Sequence, residues 1–139
     1  MIELDNKTTL IIDFDFIQNI ASTLTSKDIE LIITDSNEMR EINFTHRNID
    51  KDTDVLSFPY EDMPMAPLGS IVICEDYVVK KSEELSHSID DEFRLLFIHG
   101  LLHLLDYDHE VDNGEMREKE KEIINKFNLP SSLIVRNNG

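Results

Sequence analysis

His99, His103 and His109 are three of the five histidines in this 139-residue chain, and their spacing fits a metal site. The first two stand four residues apart in Phe93-Arg94-Leu95-Leu96-Phe97-Ile98-His99-Gly100-Leu101-Leu102-His103-Leu104-Leu105, a run that is apolar almost all round. A helix of that composition belongs in the centre of a domain, and positions i and i+4 sit one turn apart on a single face. Burying imidazole without partners is costly, and one metal ion satisfies both rings at once. An unbroken helix would carry His109 away along its axis. A helix ending near Asp106 lets the chain turn back and aim a third imidazole at the same point. Three nitrogen ligands leave a fourth position for water, the layout of a catalytic zinc site rather than a closed structural one. Asp106, at the turn, tolerates left-handed backbone better than most non-glycine residues.

The spacing resembles the metzincin pattern H-E-x-x-H-x-x-G-x-x-H. Gly100 stands where that pattern has the glutamate that serves as general base, which argues against proteolysis by that mechanism. A metallopeptidase is therefore an alternative that explains the histidines and little else.

Elements that would position these residues follow from periodicity. Ile2 and Leu4 alternate with polar residues as in a short strand. Phe14, Ile17, Ile20, Ala21 and Leu24 recur at helical spacing, and Ile29, Leu31 and Ile33 alternate again as a second strand. Asp35 or Ser36 suits the N-cap of a helix with Met39 and Ile42 inward. Thr53–Phe58 reads as a third strand ended by Pro59, 60–68 as a loop containing Pro64 and Pro67, and Gly69–Cys74 as a fourth strand. Residues 76–86 suit a helix, Asp90 to about Leu105 forms the histidine helix, and a last helix from about Asn113 to Phe127 buries Met116, Ile123, Ile124 and Phe127. The tail Asn137-Asn138-Gly139 should be frayed. Strands alternating with helices, then helices alone, predict an α/β (α+β) fold: a small, largely parallel or mixed sheet packed with helices. The length suits one domain, 1–139.

The formal charge is −16, from 13 Lys and Arg against 29 Asp and Glu. Such a balance opposes a general nucleic-acid-binding surface, while leaving room for a small basic patch, and it suits cation binding. A single cysteine, Cys74, allows no intrachain disulfide and reads as a small core residue. The N-terminus lacks the basic and apolar regions of a secretory signal, and no apolar run approaches the roughly 18 residues of a membrane span. The expectation is a cytoplasmic protein with no membrane partner.

His99-Gly-Leu-Leu-His103-Leu-Leu-Asp-Tyr-Asp-His109 resembles the H-G-x-L-H-L-x-G-Y-D-H signature of the YbeY family of bacterial ribosomal-RNA maturation factors. Thr53-Asp54-Val55-Leu56-Ser57-Phe58-Pro59 matches that family's T-D-V-L-S-F-P run. Leu68-Gly69-Ser70-Ile71-Val72-Ile73 resembles its L-G-D-I-x-I strand, and Ile42-Asn43-Phe44-Thr45-His46-Arg47 its L-N-x-x-Y-R. In order and spacing the likeness covers most of residues 30–127. The chain departs from the pattern at Asp106 for Gly, His46 for Tyr, Asp52 for Pro and Ser70 for Asp. Ile49 stands where Lys is common.

The resemblance implies a zincin-like domain with the two-histidine helix at its centre. It also implies a metal-dependent, single-strand-specific endoribonuclease that binds about one zinc per chain and acts on RNA rather than DNA, in the setting of small-subunit rRNA on the ribosome. His99, His103 and His109 would be the ligands, with His99 and Arg47 catalytic. A guanidinium can grip a phosphate through two hydrogen bonds and stabilise its developing charge. The plainer reading of Arg47 is a surface ion pair with neighbouring Asp50. Lys51 is a weaker candidate for phosphate contact. Ser57 has no base near it in sequence and reads as a strand residue with a satisfied hydroxyl. Asp108 suits equally a partner orienting a histidine and a turn cap. The ion would lower the pKa of bound water or polarise a phosphoryl oxygen; the sequence names no general base, and the RNA 2′-hydroxyl remains a candidate nucleophile. A third reading is a non-catalytic ribosome-assembly factor with a structural metal.

Overall fold

A computed structural model of the chain describes residues 1–61, 63–105 and 114–129. Asp106, Asp108 and His109 lie outside the described residues, as does the tail 137–139. The order is β1 (Ile2–Asn6), α1 (Phe14–Leu24), β2 (Ile29–Thr34), α2 (Ser36–Arg47), β3 (Val55–Pro59), β4 (Gly69–Cys74), α3 (Glu75–Leu85), α4 (Ile89–Leu104) and α5 (Glu115–Lys126). The four strands form one mixed sheet in the order β1-β2-β4-β3. β1, β2 and β4 run parallel, while β3 lies antiparallel to β4, pairing Val55 with Ile73 and Ser57 with Ile71. The architecture is α+β, as the order of elements predicted.

The central strands are the most apolar. Every residue of β4, Gly-Ser-Ile-Val-Ile-Cys, is buried, as expected of a strand covered on both faces. Ile29, Leu31, Ile33, Ile71 and Ile73 face the larger core, where they meet Ile17 and Ile20 of α1, Val78 of α3, Phe93 and Phe97 of α4, and Met116 and Ile124 of α5. A smaller cluster on the other face packs Met39 of α2 on Leu56, Val72 and Cys74. Cys74 is fully buried, as its apolar context predicted. At the β1 edge, which has one strand neighbour, Ile2 is buried but Leu4 is exposed. Pro59 closes the other edge strand, β3, where its missing N–H interrupts no inner ladder.

Three helices, α1, α2 and α4, begin at a capping side chain. Asp13 accepts from the Phe16 N–H, Asp35 from the Glu38 N–H and Ser88 from the Asp91 N–H, satisfying donors that a helix start leaves open. α2 ends at Asn48 in the left-handed region, with φ 57°. That reversal sends the chain from Arg47 into the 48–54 loop and on to β3. α4 is the spine: Phe93, Leu95, Leu96, Phe97, Ile98, Gly100, Leu101, Leu102 and Leu104 are all buried. Among the described residues no helix is long and apolar enough to cross a membrane.

Candidate active site

On α4, His99 and His103 are half-buried while Ile98, Gly100, Leu101, Leu102 and Leu104 around them are buried. Both rings therefore open to one side, into a cleft of about 380 Å³ lined by Arg47, Asp54, Val55, Leu56, Ser57, Pro59, His99 and His103. That volume lies in the range of small-ligand sites. The floor is α4, the wall is edge strand β3, and the end of α2 supplies Arg47.

The close approach of α4 to the sheet depends on Gly100. A Cβ there would stand 2.9 Å from Ile71 Cγ2 and 3.2 Å from both Ser57 Oγ and Val55 Cγ2. Glycine in a helix costs about 1 kcal/mol relative to alanine, and the contact with β3 and β4 offsets it. Any larger residue between the two histidines would force Ile71 to shift, so the glutamate of a metzincin-type peptidase would be crowded at this position. Ser57 Oγ donates to the Gly100 carbonyl at 2.8 Å. Its hydroxyl is satisfied by the helix, as expected of a strand residue rather than a nucleophile.

The two imidazoles face each other through their ε nitrogens, with Nε2 to Nε2 at 3.2 Å and ring planes 77° apart. Two nitrogens bound to one zinc at tetrahedral geometry stand about 3.3 Å apart, so the pair fits a shared ion. On its other edge, His99 Nδ1 lies 2.8 Å from Glu120 Oε1. A carboxylate accepting there places a hydrogen on Nδ1, and the neutral ring would then turn its Nε2 lone pair to the cleft. Among the described residues no third His, Cys, Asp or Glu joins the pair in a ligand group. His109, the third histidine of the spacing, lies outside the described residues.

Arg47 reaches the cleft from the last turn of α2. Asp50, its expected ion-pair partner, is engaged instead by Arg40, whose Nε and Nη2 donate to Asp50 Oδ1 and Oδ2 at 2.6 and 3.0 Å. That pairing raises the pKa of Arg40 and holds the Asp50 carboxyl below its ordinary value, with the hydrogen bond as the largest cause of each. Among the described residues no carboxylate lies within ion-pair distance of Arg47, and Arg47 lines the cleft. Asn43, buried at the middle of α2, donates from Nδ2 to the Lys51 carbonyl at 2.8 Å and holds the following loop against the helix. Lys51 does not line the cleft.

Two residues of the site were not singled out in the sequence. Asp54 lines the cleft while its Oδ1 accepts from the Val55 N–H at 2.7 Å; in sequence it is one acid among 29 Asp and Glu. Glu120 is 2% exposed on a helix whose other charged residues are mostly exposed. Its signal was legible in principle, since position 120 falls in the inward stripe with Met116, Ile123 and Ile124.

The sequence profile of the family Endoribonuclease YbeY matches residues 4–128. The Endoribonuclease YbeY of Sulfurimonas denitrificans is 66% identical over 139 residues, covering 100% of both chains. That of Nautilia profundicola is 64% identical over 137 residues, covering 99% of each. That of Aliarcobacter butzleri is 60% identical over 139 residues, again covering 99% of each. Among solved structures, the solution structure of TM1509 from Thermotoga maritima superposes with a TM-score of 0.62 at 26% identity, covering 91% of this chain and 89% of the other.

Proposed function

The chain belongs to the YbeY family of endoribonucleases, and from that premise we propose that it hydrolyses RNA phosphodiesters at a metal centre held by His99, His103 and His109. The observation that carries the metal reading is the pair of facing ε nitrogens at 3.2 Å, beside a guanidinium that no described carboxylate engages. The donor set is all imidazole, which suits zinc. When bound, the ion supplies Lewis-acid polarisation of a phosphoryl oxygen.

The chain's own residues supply the rest. Arg47 binds the scissile phosphate through its two-pronged donor face and orients it over the histidines. Because it acts on charge that grows during the reaction, its contribution is to rate more than to affinity. His99 is fixed in one tautomer by Glu120 and keeps its lone pair on the cleft side. The β3 residues Val55, Leu56, Ser57 and Pro59 border the cleft, and the preference for a single strand is proposed from the family resemblance. With a net charge of −16, RNA is held through this local basic contact rather than a broad basic surface. The small-subunit rRNA of the ribosome is the proposed physiological substrate, supported by the family resemblance of the four motifs.

Cleavage of a single-stranded RNA by metal-replete protein tests the proposal, with His99→Ala and Arg47→Ala prepared identically. Cleavage by the parent that both variants lose is the expected result. Equal cleavage by all three would assign the activity to a contaminant and overturn it.

A further inference from the structure

Glu120 is a carboxylate with 2% exposure, and burying such a group is unfavourable unless something specific is gained. It sits on α5, twenty-one residues beyond His99, with Met116, Ile123 and Ile124 of the same helix in the core around it. Its Oε1 meets His99 Nδ1 at 2.8 Å, on the ring edge opposite the nitrogen that faces His103. That oxygen is therefore placed to act on the ring and not on whatever the ring binds.

We infer that Glu120 is the positioning residue of the metal centre: through the His99 Nδ1–H it fixes the tautomer and orientation of the ring, so that Nε2 is aimed at the ion. The inference rests on the metal reading of His99 and His103. The physical argument is general. A histidine ligand needs its free nitrogen unprotonated and aimed, and a carboxylate on the far nitrogen provides both. Without it the ring can take either tautomer and rotate about its side-chain bonds. One of those states puts an N–H where the ligand lone pair must be. The role that the sequence left open for Asp108 has in Glu120 a buried, hydrogen-bonded occupant, on the helix that follows the third histidine of the pattern.

The test is metal affinity, read without reference to RNA. The parent, Glu120→Gln and Glu120→Leu are titrated with Co²⁺ and Zn²⁺ against a chelator of known affinity. Far-UV circular dichroism and metal-free melting curves are recorded alongside. Glu120→Gln preserves shape and should lose about 10-fold in affinity, and Glu120→Leu up to about 100-fold, with the Co²⁺ absorption bands altered in both. Metal-free melting should fall for Glu120→Leu, because the His99 Nδ1–H then loses its acceptor, and fall less for Glu120→Gln, whose amide oxygen can still accept. Affinity within twofold of the parent in Glu120→Gln, with the same Co²⁺ spectrum, would overturn the positioning role while leaving the metal site standing. A parent chain that takes up neither ion would overturn both.

Discussion

Ser57 and Gly100 are joined by a 2.8 Å hydrogen bond from the serine hydroxyl to the glycine carbonyl, which ties the edge strand to the helical turn between His99 and His103. Wall and floor of the cleft are thereby linked directly. The missing glycine side chain lets the two backbones approach, and the hydroxyl meets a carbonyl that this approach brings within reach.

Gly100→Ala should therefore destabilise the protein, contrary to helix propensity. The added Cβ would press on Ile71, a fully buried β-branched residue with little rotamer freedom. Overpacking costs about 1–3 kcal/mol, against about 1 kcal/mol gained in the helix. The net expectation is a loss of order 1 kcal/mol in urea unfolding. A more stable variant would show that the helix is not clamped to β3.

His103→Ala should abolish the stabilisation that zinc confers. An ion at about 100 times its dissociation constant raises the unfolding free energy by roughly 2.7 kcal/mol. Thermal melts with and without zinc should differ in the parent and coincide in the variant. An equal shift in both would remove His103 from the ligand set.

Arg47→Ala should separate catalysis from folding. The side chain is exposed and makes no ion pair among the described residues. Its removal should change stability by less than about 0.5 kcal/mol and leave metal affinity unaltered. Loss of a donor to transition-state charge should cut kcat for RNA cleavage by about 10²–10³-fold. Unimpaired cleavage would return Arg47 to the role of an ordinary surface residue.

At the far end of α2, the Glu38 carboxyl is held below its ordinary value of 4.5, first by its hydrogen bond from Lys7 and then by that from Thr34. A depressed carboxyl stabilises the fold above pH 4.5, and the contribution disappears as pH falls through the lower folded value. Lys7, raised above 10.5 by the same bond, contributes below pH 10.5 and loses its share as pH rises through the higher folded value. Glu38→Gln should thus be modestly less stable than the parent at neutral pH and equal to it in strong acid. A difference that grows on acidification would contradict the sign.

Much of the fold is written locally. Alternation marked β2 and the unbroken apolar run marked β4, while helical spacing placed α1, α4 and α5 within a residue or two of their ends. Asp35, one of two capping candidates, proved to be the cap. The histidine pair was legible for the same reason: residues four apart share a helix face wherever the helix goes, and an apolar surround says that the helix is central. What the sequence could not determine is which distant residues meet. Arg40 and Arg47 both stand within ten residues of Asp50, and only the tertiary structure gives the carboxylate to Arg40 and leaves Arg47 lining the cleft. Glu120 looked like one more charge on a solvated helix until packing buried it against His99. The insertion of β4 between β2 and β3, which makes β3 an edge beside the histidines, comes from strand pairing across the chain. Periodicity is a property of neighbours, whereas pairing is selected by which packing buries the most apolar surface and leaves the fewest polar groups unmet.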